Sequence, residues 1–164
     1  MLTIRCTHRL LKRLDEEGPF DPVPPSNRLG DWYANILFTK RAKLIICISE
    51  RSLLPILIEA KGPTSFIPRF QKAVCSVLRR IGAASDSVND EAREMDQVEI
   101  GATASRRVLG SLNDLASLAR FEIAANPAID LETLAVKLAD TPCSPLHYET
   151  PRSVSLALLR RVYS

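Results

Sequence analysis

Cys6, His8, Cys143 and His147 are the soft donors of this chain that could converge on one metal ion, because zinc takes thiolate and imidazole ligands in a tetrahedron. Their spacing argues otherwise. One residue separates the first pair and three separate the second, so neither repeats the short knuckle of zinc modules. The reading adopted is a buried thiol at a strand end and an ordinary loop cysteine, with no metal and no cofactor. Cys143 and His147 have a second chemistry open to them, as nucleophile and base, since an imidazole beside a thiol generates thiolate near neutral pH. A third group to orient the pair is not apparent, and a proline-rich loop does not force them together.

Arg106, Gly110, Asn113 and Ser117 fall on one stripe of a helix, opposite Val108, Leu112, Leu115 and Ala119. A guanidinium near an amide can recognise phosphate or carboxylate. The competing account is structural: Asn113 satisfies backbone at a kink while Asp114 caps Ser111. Arg106 and Asn113 are therefore the polar pair from which a candidate pocket is drawn, together with Trp32, Asn35, Cys143 and His147. Trp32 and Tyr33 could stack a ligand at a strand mouth, although core packing is the commoner fate of such rings. Arg69, Lys72, Arg79 and Arg80 form the second candidate, a basic helix face able to meet phosphates, a protein partner or the acidic stretch Asp86 to Glu99.

The chain that must position these residues has 164 amino acids, 46% hydrophobic and 25% charged, enough for one core, and is read as a single domain over 1–164. No apolar run reaches the roughly 20 residues of a membrane span. Arg5, His8, Arg9, Lys12 and Arg13 occupy the place of a signal peptide's apolar segment, so none is expected. Four well-separated cysteines read as reduced thiols in a cytoplasm. Net charge is +3, too mild to indicate nucleic acid by itself. No phosphate loop, metal helix or nucleophile elbow is present in the sequence.

Met1 to Arg5 reads as a strand, and Thr7 as cap of a short helix through Leu14. Residues 15 to 29 form a loop, held by Gly18 and four prolines. Trp32, Ala34, Ile36 and Phe38 alternate as one face of a strand. A charged connection, Lys40 to Lys43, leads to LIICIS, and LLPILIEA follows as a third strand whose Pro55 belongs at an edge or a bulge. Ile67 to Ile81 is an amphipathic helix stopped by Gly82. Ser85 is expected to cap an acidic helix to Met95, and Gln97 to Thr103 to be a last strand. Between Ser105 and Ala125 either one helix tolerates Gly110 or a second begins at Ser111. Asp130 caps LETLAVKLA, TPCSPLHYETP is expected to be extended, and Thr150 with Pro151 opens a terminal helix.

The strings RCT with LLKRL, LGDWYANILF, ISERSLLPILI, TASRRVLGSLND and TPCSPL resemble, as a set, an uncharacterised bacterial family of small proteins classed as a domain of unknown function. The resemblance runs over nearly the whole chain and implies a bacterial, single-domain, cytoplasmic protein without implying an activity. The expected fold is α+β, a small mostly antiparallel sheet packed against several amphipathic helices, with those around 68–81 and 111–125 on one face. The expected function is a non-enzymatic accessory or interaction module binding a protein partner or nucleic acid, with no membrane association. The alternative is a small hydrolase or nuclease with its pocket around Arg106 and Asn113.

Overall fold

In the computed structural model, which describes residues 1–16, 23–62 and 65–160, five strands make one sheet in the order β4-β3-β2-β1-β5. They are β1 (Leu2–Cys6), β2 (Trp32–Phe38), β3 (Lys43–Ser49), β4 (Pro55–Glu59) and β5 (Val98–Ala102). The meander β2-β3-β4 is antiparallel as the alternation predicts, with Trp32 opposite Ser49 and Leu44 opposite Glu59. Pro55 starts β4 at the sheet's edge, where a residue without an N–H is tolerated.

The sheet is mixed rather than mostly antiparallel. β1 runs parallel to β2 and to β5, with Ile4 aligned with Trp32 and with Ile100. The cause lies between β1 and β2: helix α1 (His8–Leu14) and the segment after it carry the chain back to the end of the sheet where β1 began, and such a crossover aligns strands in parallel. Of the predicted loop 15–29, residues 17–22 lie outside the described residues, and the remainder is without helix or strand.

Helices cover both faces of the sheet, not one. Trp32 meets Phe70 of α2 (Phe66–Ile81) edge to face, centroids 5.4 Å apart, whereas the neighbouring Tyr33 reaches the opposite side and accepts at its hydroxyl from the amide of Ser105, the N-cap of α4 (Arg106–Ala125). Successive strand residues point to opposite faces, so α2 and the start of α4 flank the sheet. Two-sided cover explains why Leu44 to Ser49 are buried without alternation.

The predicted caps on α1, α5 (Leu131–Leu138) and α6 (Pro151–Leu159) form: Thr7, Asp130 and Thr150 each accept from a first-turn amide. Gly82 ends α2 with φ 103°. Helix α3 (Ser85–Glu94) departs from expectation, because Ala84 is its N-cap and Ser85 is already helical. Of the two readings open for residues 105–125 the single helix holds: α4 is continuous through Gly110, which is exposed, and its cap is Ser105, accepting from the Val108 amide. TPCSPLHYETP is turned, not extended. Ser144–Leu146 is a 3-10 turn, and His147 and Tyr148 follow with φ of 54° and 63°.

Candidate functional site

The members of the first candidate pocket come from β2, α4 and the loop before α6. Trp32 is buried against α2. Asn35 accepts from the Thr7 hydroxyl at 2.6 Å and from the Ile36 amide, bracing the start of α1. Arg106 and Asn113 stand on the exposed stripe of α4. Cys143 is half-buried and donates to the Thr141 carbonyl at 3.3 Å, while His147 is exposed. Burial, aided by the nearby Asp114 carboxylate, pushes the Cys143 thiol up, which disfavours the thiolate a nucleophile needs. The cavities along β4, beside α3, above Phe38 and against the Glu50 to Leu53 turn are lined by none of these six residues.

Cys6 lies in β1 with its thiol raised to about 12 by burial, and Cys47 is raised well above the ordinary value for the same reason. All four cysteines are free thiols. Among the described residues, no three His, Cys, Asp or Glu side chains are grouped so as to hold a metal ion.

The second candidate is partly assembled. The amphipathic pattern buries Phe66, Phe70, Val74, Val77, Leu78 and Ile81 of α2, and the same helical period sends Arg69, Lys72, Ala73 and Ser76 toward α5. A cavity of about 460 Å³ lies between the two helices and β4. Its floor is aliphatic (Leu57, Ile58, Val77, Leu131, Ala135), and Arg41, Lys61, Arg69 and Lys72 line it beside Glu59, Asp130 and Glu132. The carboxylates already have cations: Arg80 is 3.4 Å from Glu132 and 3.7 Å from Asp130, and Lys61 is 3.6 Å from Glu59. Asp130 is held below the usual carboxylate range by the backbone and side-chain hydrogen bonds of Thr133, with Arg80 and Arg41 adding to it.

Arg69 is braced by Ser65 and by the Glu59 carbonyl, and its Nη2 is buried with no acceptor among the described residues. Lys72 is exposed at the rim. The sequence reading placed Arg69, Lys72, Arg79 and Arg80 together, but Arg80 is committed to α5 and Arg79 does not line the cavity. Arg41 was missed because it comes from the β2–β3 connection, where it donates to the Ile129 carbonyl. The hydrophobic period of α5 was the only hint of what would bring it close.

The acidic stretch does not dock on this face. Glu91 is buried and accepts from the Arg28 amide at 2.8 Å and from Asn27 at 3.2 Å; Glu94 meets Ser26 and the amino group of Met1; Asp90 pairs with Arg93. Burial raises the Glu91 carboxyl, against the lowering effect of those donors. The sign follows directly. A raised folded-state pKa means that the folded chain binds the proton more tightly, so this group's contribution is complete below the ordinary carboxylate value and fades as pH climbs through the raised one. Unfolding free energies measured across that window should therefore fall more with rising pH in the parent chain than in Glu91→Gln. Parallel pH profiles would contradict it.

Comparison with family models decides the kinship of the chain. Residues 3–154 match the model described as Domain of unknown function (DUF6933). The chain belongs to that family. Comparison with curated proteins and with solved structures found no match. For this DUF6933 member, no helix among the described residues is long and apolar enough to cross a membrane. The family assignment carries no activity, so the β4 groove has to be read from its own chemistry.

Proposed function

We propose that the chain is a non-enzymatic interaction module of the bacterial cytoplasm that docks a protein partner in the groove between β4, α2 and α5. The observation carrying this is the groove's composition, an aliphatic floor under Arg41, Arg69 and Lys72. Apolar floors with a few placed polar groups are the usual make-up of recognition sites. Nucleic acid fits less well. The lining contains no aromatic ring on which a base could stack. The hydrolase alternative loses support from the exposed positions of Arg106 and Asn113, which line none of the cavities described above, and from the raised Cys143 thiol. The cytoplasmic reading is supported by four unpaired cysteines, and the bacterial one by the family resemblance.

Titration with a short labelled peptide alternating glutamate and valine, beside a short DNA duplex at physiological salt, tests the reading. Peptide binding is expected, weakened roughly tenfold by Lys72→Glu with unchanged thermal unfolding. Duplex binding with a steep salt slope, in place of peptide binding, would overturn it.

A further inference from the structure

Phe38 ends β2 with its ring in solvent, 45% exposed, whereas Trp32 and Tyr33 of the same strand and Phe66 and Phe70 of α2 are buried. Cations gather on this ring. The Arg9 guanidinium stands over it at 5.6 Å from the centroid and the Lys43 ammonium at 5.9 Å. The fold dictates both positions: Lys43 is the cross-strand partner of Phe38, and Arg9 lies in the first turn of α1, whose cap Thr7 is tied to Asn35 of β2.

Between the two strands the chain turns through Lys40 and Arg41, and the turn is fixed. The Thr39 hydroxyl donates to the Ala42 carbonyl at 2.8 Å and accepts from the Ala42 amide at 3.0 Å. Arg41 is spent on the Ile129 carbonyl, but Lys40 is exposed. A cavity of about 330 Å³ lies beside the turn, lined by Phe38 and Lys40 from the hairpin and by Arg120, Ile123 and Pro127 from the end of α4 and the residues after it. No carboxylate among the described residues lines it. Arg9, Lys40, Lys43 and Arg120 are exposed, and among the described residues none pairs with a carboxylate, unlike Arg80, Lys137 and Arg152.

Lone exposed rings are common on soluble proteins. Like charges collected around one, without counter-charges, raise the electrostatic free energy of the folded chain, and a bound polyanion relieves it. The ring narrows the choice of polyanion. A single strand of nucleic acid has open base faces that stack on an aromatic and phosphates at regular intervals beside them, whereas a duplex keeps its bases stacked on one another and an acidic peptide leaves the ring without a π partner.

We propose that this end of the sheet binds single-stranded nucleic acid, a base lying in the cavity against Phe38 while Arg9, Lys40, Lys43 and Arg120 hold the flanking phosphates. The attraction that keeps an exposed cation over a ring is weaker than the stacking of a base on it, so an incoming base takes the ring and turns Arg9 and Lys43 toward its phosphates. The surface depends on neither Arg69 nor Lys72 and is additional to the protein-docking groove.

Anisotropy titration of the intact chain with a labelled short single-stranded RNA, beside inorganic polyphosphate as competitor and vesicles containing phosphatidylserine, tests it. Binding is expected with a salt slope of roughly −2 to −3, from about 0.7 per phosphate contact on a single strand. Lys40→Glu combined with Arg120→Glu should weaken binding roughly tenfold and flatten the slope. Phe38→Ala should weaken it roughly fivefold or more at an unchanged slope. Phe38→Leu, which keeps an apolar side chain at the strand end but has no π face, should match it even if the alanine variant unfolds. Lys72→Glu should bind RNA as the parent does. Polyphosphate competing as well as unlabelled RNA, with Phe38→Leu without effect, would mark an anion patch indifferent to bases and overturn the proposal. So would no RNA binding, binding to vesicles in place of RNA, or loss of RNA binding in Lys72→Glu.

Discussion

Trp32→Ala is expected to lower the unfolding free energy by about 3 to 5 kcal/mol, a large part of the 5 to 15 kcal/mol typical of a small domain. Trp32 is 1% exposed, is fully buried at the base of β2, and holds Phe70 edge to face while Phe70 leans on Phe66 at 6.4 Å. Removing the indole leaves a void bounded by a strand and a helix that are each fixed by other contacts, so the site cannot collapse to fill it. Trp32→Phe, which keeps a ring against Phe70, should lose much less. Since Trp32 is the only tryptophan, urea unfolding should be followed by far-UV circular dichroism. A melt within 1 kcal/mol of the parent for the alanine variant would show that the ring is not a core element.

The second large effect is expected at Asp31. Its carboxylate is 3% exposed, accepts from the Thr3 amide at 2.9 Å and meets the Arg5 guanidinium at 3.1 Å, while Arg5 also donates to the Ala102 carbonyl. The Asp31 amide in turn donates to Glu50 at 2.6 Å, and the Glu50 amide returns a bond to the Asp31 carbonyl. Gly30 makes this approach possible: its φ is 81°, and a Cβ there would sit 2.8 Å from the Glu50 side chain. The carboxylate thus ties down β1 and, through Arg5, β5, while the backbone of the same residue ties the turn after β3. Asp31→Ala should cost about 3 to 5 kcal/mol, because it strands a largely buried arginine without its partner. Asp31→Ala combined with Arg5→Met should recover part of that loss, since an apolar pair leaves no unpaired charge behind. A double variant no more stable than Asp31→Ala would mean that the backbone bond from Thr3, not the ion pair, carries the effect.

The parts of this architecture legible from sequence are those decided within a few residues. Thr7, Asp130 and Thr150 declare helix starts through a hydroxyl or carboxylate placed for a free amide, Gly82 declares a stop, and the alternation from Trp32 to Phe38 declares a strand. Pro55 even announces an edge. Strand direction was not legible, because β1 is set parallel by the path of residues 7 to 31, and nothing in LTIRC itself distinguishes the two directions. Cover on both faces was written in the unbroken apolar run of β3 and in β2 as well, where Tyr33 and Leu37 are buried beside Trp32, Ala34 and Ile36, a signal that a period-two reading of β2 passes over. The groove was half legible. Arg69 and Lys72 belong to one helical period, but Arg41, Leu57 and Asp130 reach it from three other segments, and only tertiary packing decides that they meet.

The cover over the β4 edge bears on stoichiometry. A bare strand edge is a template that any second strand can extend, and each new strand offers another, which is how open-ended fibres grow. Here proline withholds an N–H at one terminus, Arg69 occupies the Glu59 carbonyl at the other, and between them Leu57 and Ile58 are buried beneath α2 and α5. Such an edge has a valence of zero. The helices that complete the core on either side of it also shut out a second strand.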